Sequence, residues 1–137
     1  MRRVAGFPLW LGHAEDARNP ARLLDSGILA VVNVALNEPP ANLPREIVYC
    51  RFPLVGGAGN PDWLLRAAVE TVACLLRFGT PTLVHCSAGI SRSPAVGGAA
   101  LALAGGLSFA QGLLAVTQSG AADISPGLWA AIQQATK

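Results

Sequence analysis

Short apolar runs alternate with longer amphipathic segments along the chain, and the two periodicities predict its elements. Four apolar runs, at residues 7–11, 30–35, 47–52 and 82–85, have the length and composition of β-strands. The tripeptides AVV and TLV within them are apolar at successive positions, which is typical of strands covered by helices on both faces of a sheet. Over residues 61–78 the apolar side chains recur at helical spacing, which predicts an amphipathic helix.

Capping residues mark where helices begin and end. An Asn or Ser directly before a proline predicts a helix start, because the side chain caps the helix and the proline is preset for its first turn. This pair occurs at Asn19, Asn60 and Ser125. Ser108 and Gln111 have the spacing of a capping box, and Gly27 and Gly79 mark helix ends.

Strands and helices alternate along the whole sequence, with no internal repeat or low-complexity linker between them. Such alternation favours a mostly parallel sheet, because parallel strands need long crossover connections that are usually helical. We therefore expect an α/β fold: a single three-layer domain over residues 1–137, with a central, mostly parallel sheet of about four to five strands flanked by helices.

Composition and charge exclude several classes of protein. Apolar residues make up 52% of the chain and charged residues only 13%, which excludes a disordered protein. The net charge of +2 leaves no electrostatic footprint for nucleic acid or for an anionic membrane. No targeting segment and no membrane span are expected, since the longest apolar stretch, at 94–107, is short and rich in glycine.

The cysteines bear on cofactors and compartment. Cys50, Cys74 and Cys86 have no metal-binding spacing, and two histidines are too few to complete a zinc site. We therefore expect no metal and no other cofactor. An odd number of cysteines without a disulfide framework favours a reducing, cytoplasmic compartment.

The segment HCSAGISRS, residues 85–93, carries the candidate chemistry. It places Cys86 at the carboxyl end of a predicted strand and Arg92 near the start of the next helix, which is where ligands bind in open α/β sheets. Backbone N–H groups and the positive end of the helix suit a tetrahedral dianion there, and Gly89 makes a positive φ cheap. The guanidinium of Arg92 can hold two phosphate oxygens at once. The predicted phosphate-binding residues are Ser87, Ala88, Gly89, Ile90, Ser91 and Arg92.

The same surroundings suit a thiolate nucleophile. A helix N-terminus and a neighbouring cation lower the pKa of a cysteine thiol from about 8.5 to about 3.5–7.5, so we expect Cys86 to be ionised at neutral pH. His85 cannot share the side-chain direction of Cys86 if both lie in extended chain, so it is interpreted as a buried hydrogen-bonding support for the loop. Ser93 is placed to hydrogen-bond the sulfur.

HCSAGISRS resembles the His-Cys-(x)5-Arg-Ser/Thr signature of the protein tyrosine phosphatases, and its SRSP ending is similar to the dual-specificity branch. Further likeness to that branch covers nearly the whole chain, in LWLGHAEDA, LLDSGILAVVNVA and AGGLSFAQGLLAVTQSGAADISPGLWAAI. The resemblance implies a cysteine-dependent phosphatase in which Cys86 is the nucleophile, Arg92 binds phosphate and Ser93 assists the second step.

One position departs from that family. Its general acid is an Asp in the loop after a strand that ends in an apolar residue and a proline, and the corresponding residue here is Gly56. Asp62 is the only acid in the loop that follows. It is interpreted as a first-turn residue that stabilises the helix dipole, with a tentative role as the displaced general acid as the alternative.

Ordinary packing is the alternative for the other candidates. Cys86 could be a buried thiol and Arg92 a solvated helix residue, but Cys, Gly, Arg and Ser at this spacing between a strand and a helix argue against it. Cys50 is interpreted as a core residue, with a resolving thiol for oxidised Cys86 as the alternative. Core or packing positions are expected for Cys74, Trp63, Trp129 and Phe109, and a surface or packing position for His13.

The loop also bears on the substrate. It carries no lysine, unlike relatives that act on phosphoinositides, which favours a singly phosphorylated substrate. Phosphotyrosine in a protein is the first expectation, since an aryl leaving group needs a general acid least, and a small phosphomonoester is the second. A phosphate-binding module with little or no turnover is the alternative function. A monomer is expected, without nucleic-acid or membrane partners.

Overall fold

A computed structural model describes residues 1–137, and its centre is a five-stranded sheet with the order β1-β2-β5-β3-β4. The strands are β1 (Arg2–Arg3), β2 (Leu9–Gly12), β3 (Ala30–Asn33), β4 (Val48–Arg51) and β5 (Thr82–His85). β2, β5, β3 and β4 run parallel, whereas β1 pairs antiparallel with β2 at one edge. The prediction of a mostly parallel sheet is confirmed. β1 was missed because two arginines give no apolar signal.

Helices connect the strands and extend beyond the last one. They are α1 (Ala14–Ala17), α2 (Pro20–Asp25), α3 (Asp62–Arg77), α4 (Arg92–Gly105), α5 (Phe109–Gln118) and α6 (Pro126–Ala135). The predicted helix over 61–78 is confirmed to within one residue at each end. None of the helices has both the length and the apolar character that crossing a membrane requires.

Successive residues of the central strands point into different cores, because side chains alternate along a strand. Val31 of β3 and Leu83 of β5 lie in a small cluster with Leu23 of α2. Val32 and Val84 lie in the larger cluster, which the residues of α3, α4 and α6 complete. The two apolar faces predicted from AVV and TLV are therefore both covered, which gives the three layers.

Most of the predicted helix caps are confirmed. Asn19 and Ser125 accept hydrogen bonds from backbone N–H groups in the first turns of α2 and α6, and Ser108 forms the capping box with Gln111. Asn60 was wrongly predicted to cap α3, since no side chain caps that helix.

Asn60 closes the preceding loop instead. Its Oδ1 accepts from the N–H of Val55 at 2.8 Å, and its Nδ2 donates to the carbonyl of Val55 at 2.9 Å. This reciprocal pair draws the ends of the glycine-rich segment 55–60 together. The side chain therefore satisfies loop backbone rather than the start of the helix.

Two predicted core residues of α3 are exposed. Trp63 retains 70% of its accessible surface, and Cys74 is also exposed. The buried stripe of α3 includes Leu65, Val72 and Leu76. Trp63 and Cys74 each stand two positions from a member of that stripe, which is about 200° around a helix. Packing of Trp129 is confirmed by its edge-to-face contact with Phe109, at 6.1 Å between ring centroids.

Helix α4 is the element that fixes the position of the segment before it. Its residues from Ser93 to Ala102 are all buried. Small residues allow this, since a β-carbon at Gly98 would lie 3.3 Å from the carbonyl oxygen of Gly112 in α5. The first turn of α4, which carries Arg92, is therefore anchored by a helix with little freedom to move.

Candidate active site

The turn between β5 and α4, residues 86–91 (the phosphate loop), passes very close to the end of β2. Gly89 has φ +78°, and a β-carbon there would lie 2.7 Å from the carbonyl oxygen of Gly12 and 3.2 Å from the nitrogen of His13. A side chain at this position meets both a backbone strain and a backbone clash. Gly89 is thus required by conformation and by space.

The carbonyl groups of the phosphate loop are bonded from outside it. Ala14 N–H donates to the carbonyl of Ser87 at 3.2 Å, Arg2 Nη2 to that of Gly89 at 3.0 Å, and Asp123 N–H to that of Ile90 at 2.7 Å. In a planar trans peptide the N–H points opposite to the C=O. The next N–H along from each of these carbonyls therefore points back into the loop.

The three inward N–H groups, those of Ala88, Ile90 and Ser91, make no hydrogen bond within the protein. The N–H groups of Ser87 and Arg92, at the two ends of the loop, are also free. The side chain of Ser91 is engaged elsewhere, where its Oγ accepts from Ser125 N–H at 3.3 Å. The loop therefore offers a concave array of free donors, as expected of a nest for a tetrahedral anion.

Cys86 lies at the base of this array and is 2% exposed. Its Sγ accepts the N–H of Gly89 at 3.2 Å and lies 3.3 Å from Oγ of Ser93. The Ser93 hydroxyl is also 3.5 Å from the carbonyl of Gly12. A rotation of that hydroxyl is enough to turn it from the carbonyl to the sulfur when the thiol loses its proton.

Hydrogen bonds from Nη1 orient the guanidinium of Arg92. Nη1 donates to Oδ1 of Asn37 and to the carbonyl of Leu54, both at 2.9 Å, and Nη2 donates to Oγ of Ser87 at 3.2 Å. A guanidinium carries five N–H donors, so the Nε–H and one Nη2–H remain free. Nε and Nη2 form one edge of the guanidinium, and such an edge has the geometry to bind two oxygens of a phosphate.

Asn37 and Glu38, from the loop after β3, were not identified from the sequence. Asn37 Nδ2 donates to Oγ of Ser87 at 2.8 Å, and that hydroxyl donates to Oε2 of Glu38 at 3.0 Å. Arg18 in turn bridges Glu38 at 3.0 Å. Their position in the sequence could have identified them, because both residues lie in the loop after β3, and the carboxyl end of β3 lies beside that of β5.

His85 is buried behind the loop, as predicted. Its Nδ1 lies 3.2 Å from the carbonyl of Cys86, so Nδ1 carries the proton because a carbonyl oxygen only accepts. Its Nε2 has no partner. Burial lowers the pKa of His85, with the hydrogen bond to Cys86 opposing the shift. This hydrogen bond ties the buried ring to the backbone at the start of the phosphate loop.

The structure does not join Asp62 to the phosphate loop. It is the first residue of α3, it is exposed, and it makes no hydrogen bond or ion pair. At Gly56, where the family has its Asp, and at Gly57, an added β-carbon would meet nothing within 4 Å. The segment thus has room for a side chain at the expected position but carries none.

Cys50 is also separated from Cys86. It pairs with Val32 of β3, and Val32 pairs on its other side with Val84 of β5. Cys50 is therefore two strand spacings, about 9.5 Å, from Val84, and Cys86 lies two residues beyond Val84 along the chain. A disulfide needs a Cα separation of about 4.4–6.8 Å. Cys50 packs against the larger core cluster, and burial raises the pKa of its thiol. The packing interpretation therefore fits the structure better than a resolving role.

Known proteins that are similar to this chain in sequence or in structure belong to one class. No family model matches the sequence. Human dual specificity phosphatase 28 is 32% identical over 129 residues, which cover 92% of this chain and 72% of that protein. Mouse dual specificity protein phosphatase 14 is 37% identical over 89 residues, or 62% of this chain. The match spans only 43% of phosphatase 14.

Solved structures that are similar to this chain belong to the same class of protein. The crystal structure of human dual specificity phosphatase 28 has a TM-score of 0.86 at 29% identity, covering 99% of this chain and 95% of that chain. A mouse putative dual specificity phosphatase complexed with zinc tungstate also has a TM-score of 0.86, at 28% identity, covering 98% of this chain and 85% of that chain. Fold and sequence thus match those of the dual specificity phosphatases. The chain belongs to the dual specificity phosphatase family.

Replacing Asn37 with Leu is expected to weaken binding of inorganic phosphate about 10-fold. The substitution removes the acceptor that orients Nη1 of Arg92, and a misaligned charged hydrogen bond costs about 1.4 kcal/mol or more. The measurement is the inhibition constant of phosphate, with thermal unfolding as a check on the fold. Glu38→Gln is the matched control, because Glu38 bonds Ser87 but not Arg92; an unchanged constant in Asn37→Leu contradicts the orienting role.

The burial of His85 predicts a pH dependence of stability. The unfolded chain takes up a proton at this residue near pH 6.5, whereas the folded protein resists protonation until a lower pH. Lowering the pH through 6.5 therefore removes stability that His85 contributes above it. His85→Asn keeps a donor near the position of Nδ1 but does not titrate.

The free energy of unfolding of wild type minus that of His85→Asn is thus expected to decrease from pH 8 to pH 5. Urea unfolding at a series of pH values measures it, and other titrating groups cancel in the difference. A difference that stays constant over this range contradicts the assignment.

Proposed function

We propose that the protein is a cysteine-dependent phosphomonoester hydrolase that acts through a phosphocysteine intermediate, most favourably on phosphotyrosine in proteins. The observation that carries the proposal is the placement of the buried Cys86 sulfur beneath the free N–H groups of the phosphate loop, beside the free edge of Arg92. Family membership supports the same chemistry.

In the first step the Cys86 thiolate attacks phosphorus. The S–P bond forms while the bond from phosphorus to the leaving oxygen breaks, and that oxygen takes a proton or departs as an anion. The loop N–H groups and Arg92 hold the non-bridging oxygens, whose charge they stabilise in the transition state. The Gly89 N–H and the Ser93 hydroxyl hold the sulfur.

In the second step water attacks the phosphocysteine. The new P–O bond forms as the S–P bond breaks, which releases inorganic phosphate and returns the thiolate. Ser93, with its Oγ 3.3 Å from Sγ, donates its hydroxyl proton as a hydrogen bond to the departing sulfur. This lowers the basicity that a leaving thiolate would otherwise have.

The absence of a carboxyl group at residue 56 favours substrates whose leaving group needs little protonation. General acid catalysis supplies about 10²–10⁴-fold in rate, and a basic alkoxide depends on it far more than a phenolate. This places phosphotyrosine ahead of phosphoserine and phosphothreonine. The loop carries no lysine, which favours a single phosphate per substrate.

A similar structure supports recognition of a tetrahedral dianion. The mouse putative dual specificity phosphatase was solved in complex with zinc tungstate, and tungstate resembles phosphate in shape and charge. We propose that this chain works as a cytoplasmic monomer without a cofactor. A small phosphomonoester is the second candidate substrate, since the free donors recognise only the phosphate itself.

Replacing Cys86 with Ser is expected to abolish phosphate release, by at least 10³-fold, because a serine hydroxyl at this position lacks a base to ionise it. The measurement is release of inorganic phosphate from an aryl phosphate and from a phosphotyrosine peptide. Turnover by the variant contradicts the nucleophile assignment.

Binding by the same variant tests the alternative of a phosphate-binding module. If Cys86→Ser binds the phosphopeptide as tightly as wild type while wild type releases no phosphate, the module replaces the enzyme as the function.

The general acid is tested by two variants. If Asp62 donates the proton, Asp62→Asn loses the alkaline limb of the pH–rate profile and loses far more rate on the phosphotyrosine peptide than on an activated aryl phosphate. If Asp62 only starts α3, which the structure favours, its profile matches wild type.

Gly56→Asp is then expected to raise the rate on the peptide about 10-fold or more and to introduce an alkaline limb. The open space around residue 56 accommodates the side chain. Gly57→Asp is the matched control, since it adds the same charge one residue away in equally open surroundings. Equal rates for the two Asp variants contradict position 56 as the acid site.

A further inference from the structure

A second guanidinium lies under the phosphate loop, on the side away from Arg92. Arg2 of β1 is half-buried, and its Nη2 donates to the carbonyl of Gly89 at 3.0 Å and to that of Ala121 at 2.9 Å. Its Nε donates to Oγ of Ser119 at 3.2 Å. The side chain thus ties the first strand, the phosphate loop and the connection from α5 to α6 into one unit.

Arg2 packs against the connection from α5 to α6. A β-carbon at Gly120 would lie 2.8 Å from its Nε, so the side chain passes directly over this glycine. Asp123 N–H bonds Ile90 from the same connection. Hydrogen bonds therefore hold the partly buried Arg2 side chain to two separate segments, the phosphate loop and the connection from α5 to α6.

Arg2 acts on the sulfur through Gly89. That residue accepts from Arg2 through its carbonyl and donates to Sγ of Cys86 through its N–H, at 3.2 Å. The two bonds hold the successive peptide planes that meet at the Cα of Gly89, so together they help to keep this residue in its unusual positive φ. Because each of these two hydrogen bonds is about 3 Å long and both are made by one residue, the guanidinium lies within about one Debye length, about 10 Å, of the sulfur.

Burial and the neighbouring charges shift the pKa of Arg2 in opposite directions. Burial lowers the pKa of Arg2, while the charge of Cys86 and then that of Asp16 raise it. A guanidinium remains protonated under such shifts. A partly desolvated cation beside a thiolate is screened less by salt than one in water.

We propose that Arg2 is a positioning residue of the active site: a second cation that holds Gly89 against the sulfur and favours the thiolate form of Cys86. The inference rests on the proposed function, since it assigns Arg2 to the same nucleophile. It differs from the role of Arg92, which contacts the phosphate.

The other charged or titratable groups around Arg2 and the phosphate loop come from several elements. They are Asp16 on α1, Glu38 after β3, His85 on β5, Arg92 on α4 and Asp123 before α6. The test leaves all of them in place, so Arg2→Gln changes no charge except that at residue 2.

Arg3 provides a matched control. It is the next residue of the same strand, but its side chain points away from the loop, donates to the carbonyl of Phe7 at 3.0 Å and lies over the ring of Trp10 at 5.0 Å. Arg3→Gln removes the same charge from β1 without touching Gly89. Arg2→Lys keeps the charge at residue 2 but loses the planar guanidinium, which donates from both Nε and Nη2.

The experiment measures the alkylation rate of Cys86 by iodoacetamide as a function of pH, with Cys50 and Cys74 replaced by Ser. Arg2→Gln is expected to move the midpoint of this profile upward by about 0.5–1 pH unit, which is about a 3- to 10-fold slower reaction on the acid side. Arg3→Gln and Arg2→Lys are expected to keep the wild-type midpoint to within about 0.3 unit.

A merely structural role gives a different result. If loss of Arg2 only loosens the loop, the rate changes by the same factor at every pH and the midpoint stays, which overturns the proposal. A midpoint that moves equally in Arg2→Lys and Arg2→Gln overturns the contribution of charge.

Alkylation needs no turnover, so the two proposals fail separately. If wild type releases no phosphate yet Arg2→Gln moves the midpoint, the proposed hydrolase fails and the role of Arg2 stands. If wild type hydrolyses phosphate and the midpoint does not move, only the role of Arg2 fails.

Discussion

The active site depends on one close backbone contact, between Gly89 and the end of β2. β2 and β5 pair in register so that Gly12 lies beside His85, and the chain turns immediately afterwards. The phosphate loop then folds back over Gly12, with no space for a β-carbon at Gly89. Because the loop is held this tightly, its carbonyls reach donors outside it and its N–H groups turn inward. The array of free N–H groups is thus a consequence of the sheet register and of one glycine, rather than of side chains in the loop.

Charge is then added to this backbone frame from three directions. Arg92 enters from the first turn of α4, with Asn37 and the carbonyl of Leu54 occupying its outer edge so that the inner edge faces the loop. Arg2 enters from the sheet edge below. Glu38 binds the hydroxyl of Ser87, where Arg18 compensates its charge. Each ion is hydrogen-bonded by neutral or opposite groups, so the site concentrates positive potential without leaving a buried charge unpaired.

The phosphate loop and the segment 55–60 are not held equally firmly. Carbonyls of the loop, the Cys86 sulfur and the Ser93 hydroxyl are hydrogen-bonded, and Cys86 and Ser93 are buried in the core. The segment 55–60, by contrast, is held only by Asn60 across its ends and carries glycine where its family carries an acid. A rigid nucleophile beside an acid-free loop predicts an enzyme that discriminates between substrates by the basicity of their leaving groups. Such discrimination needs no contact with the rest of the substrate.

The sequence by itself determined the α/β alternation and the mostly parallel sheet, and it singled out Cys86, Gly89 and Arg92 as candidate site residues, because each of these features is encoded within a few neighbouring residues. It failed at Trp63 and Cys74, where the helical stripe needed its exact phase, and at Asn60, whose side chain bonds backbone five residues away rather than the adjacent helix. It also gave no sign of Asn37, Glu38 or Arg2. Those residues meet the loop across separations of 49 to 87 residues. Only the tertiary structure decides such contacts, because they arise from strand order and register, which no local pattern records.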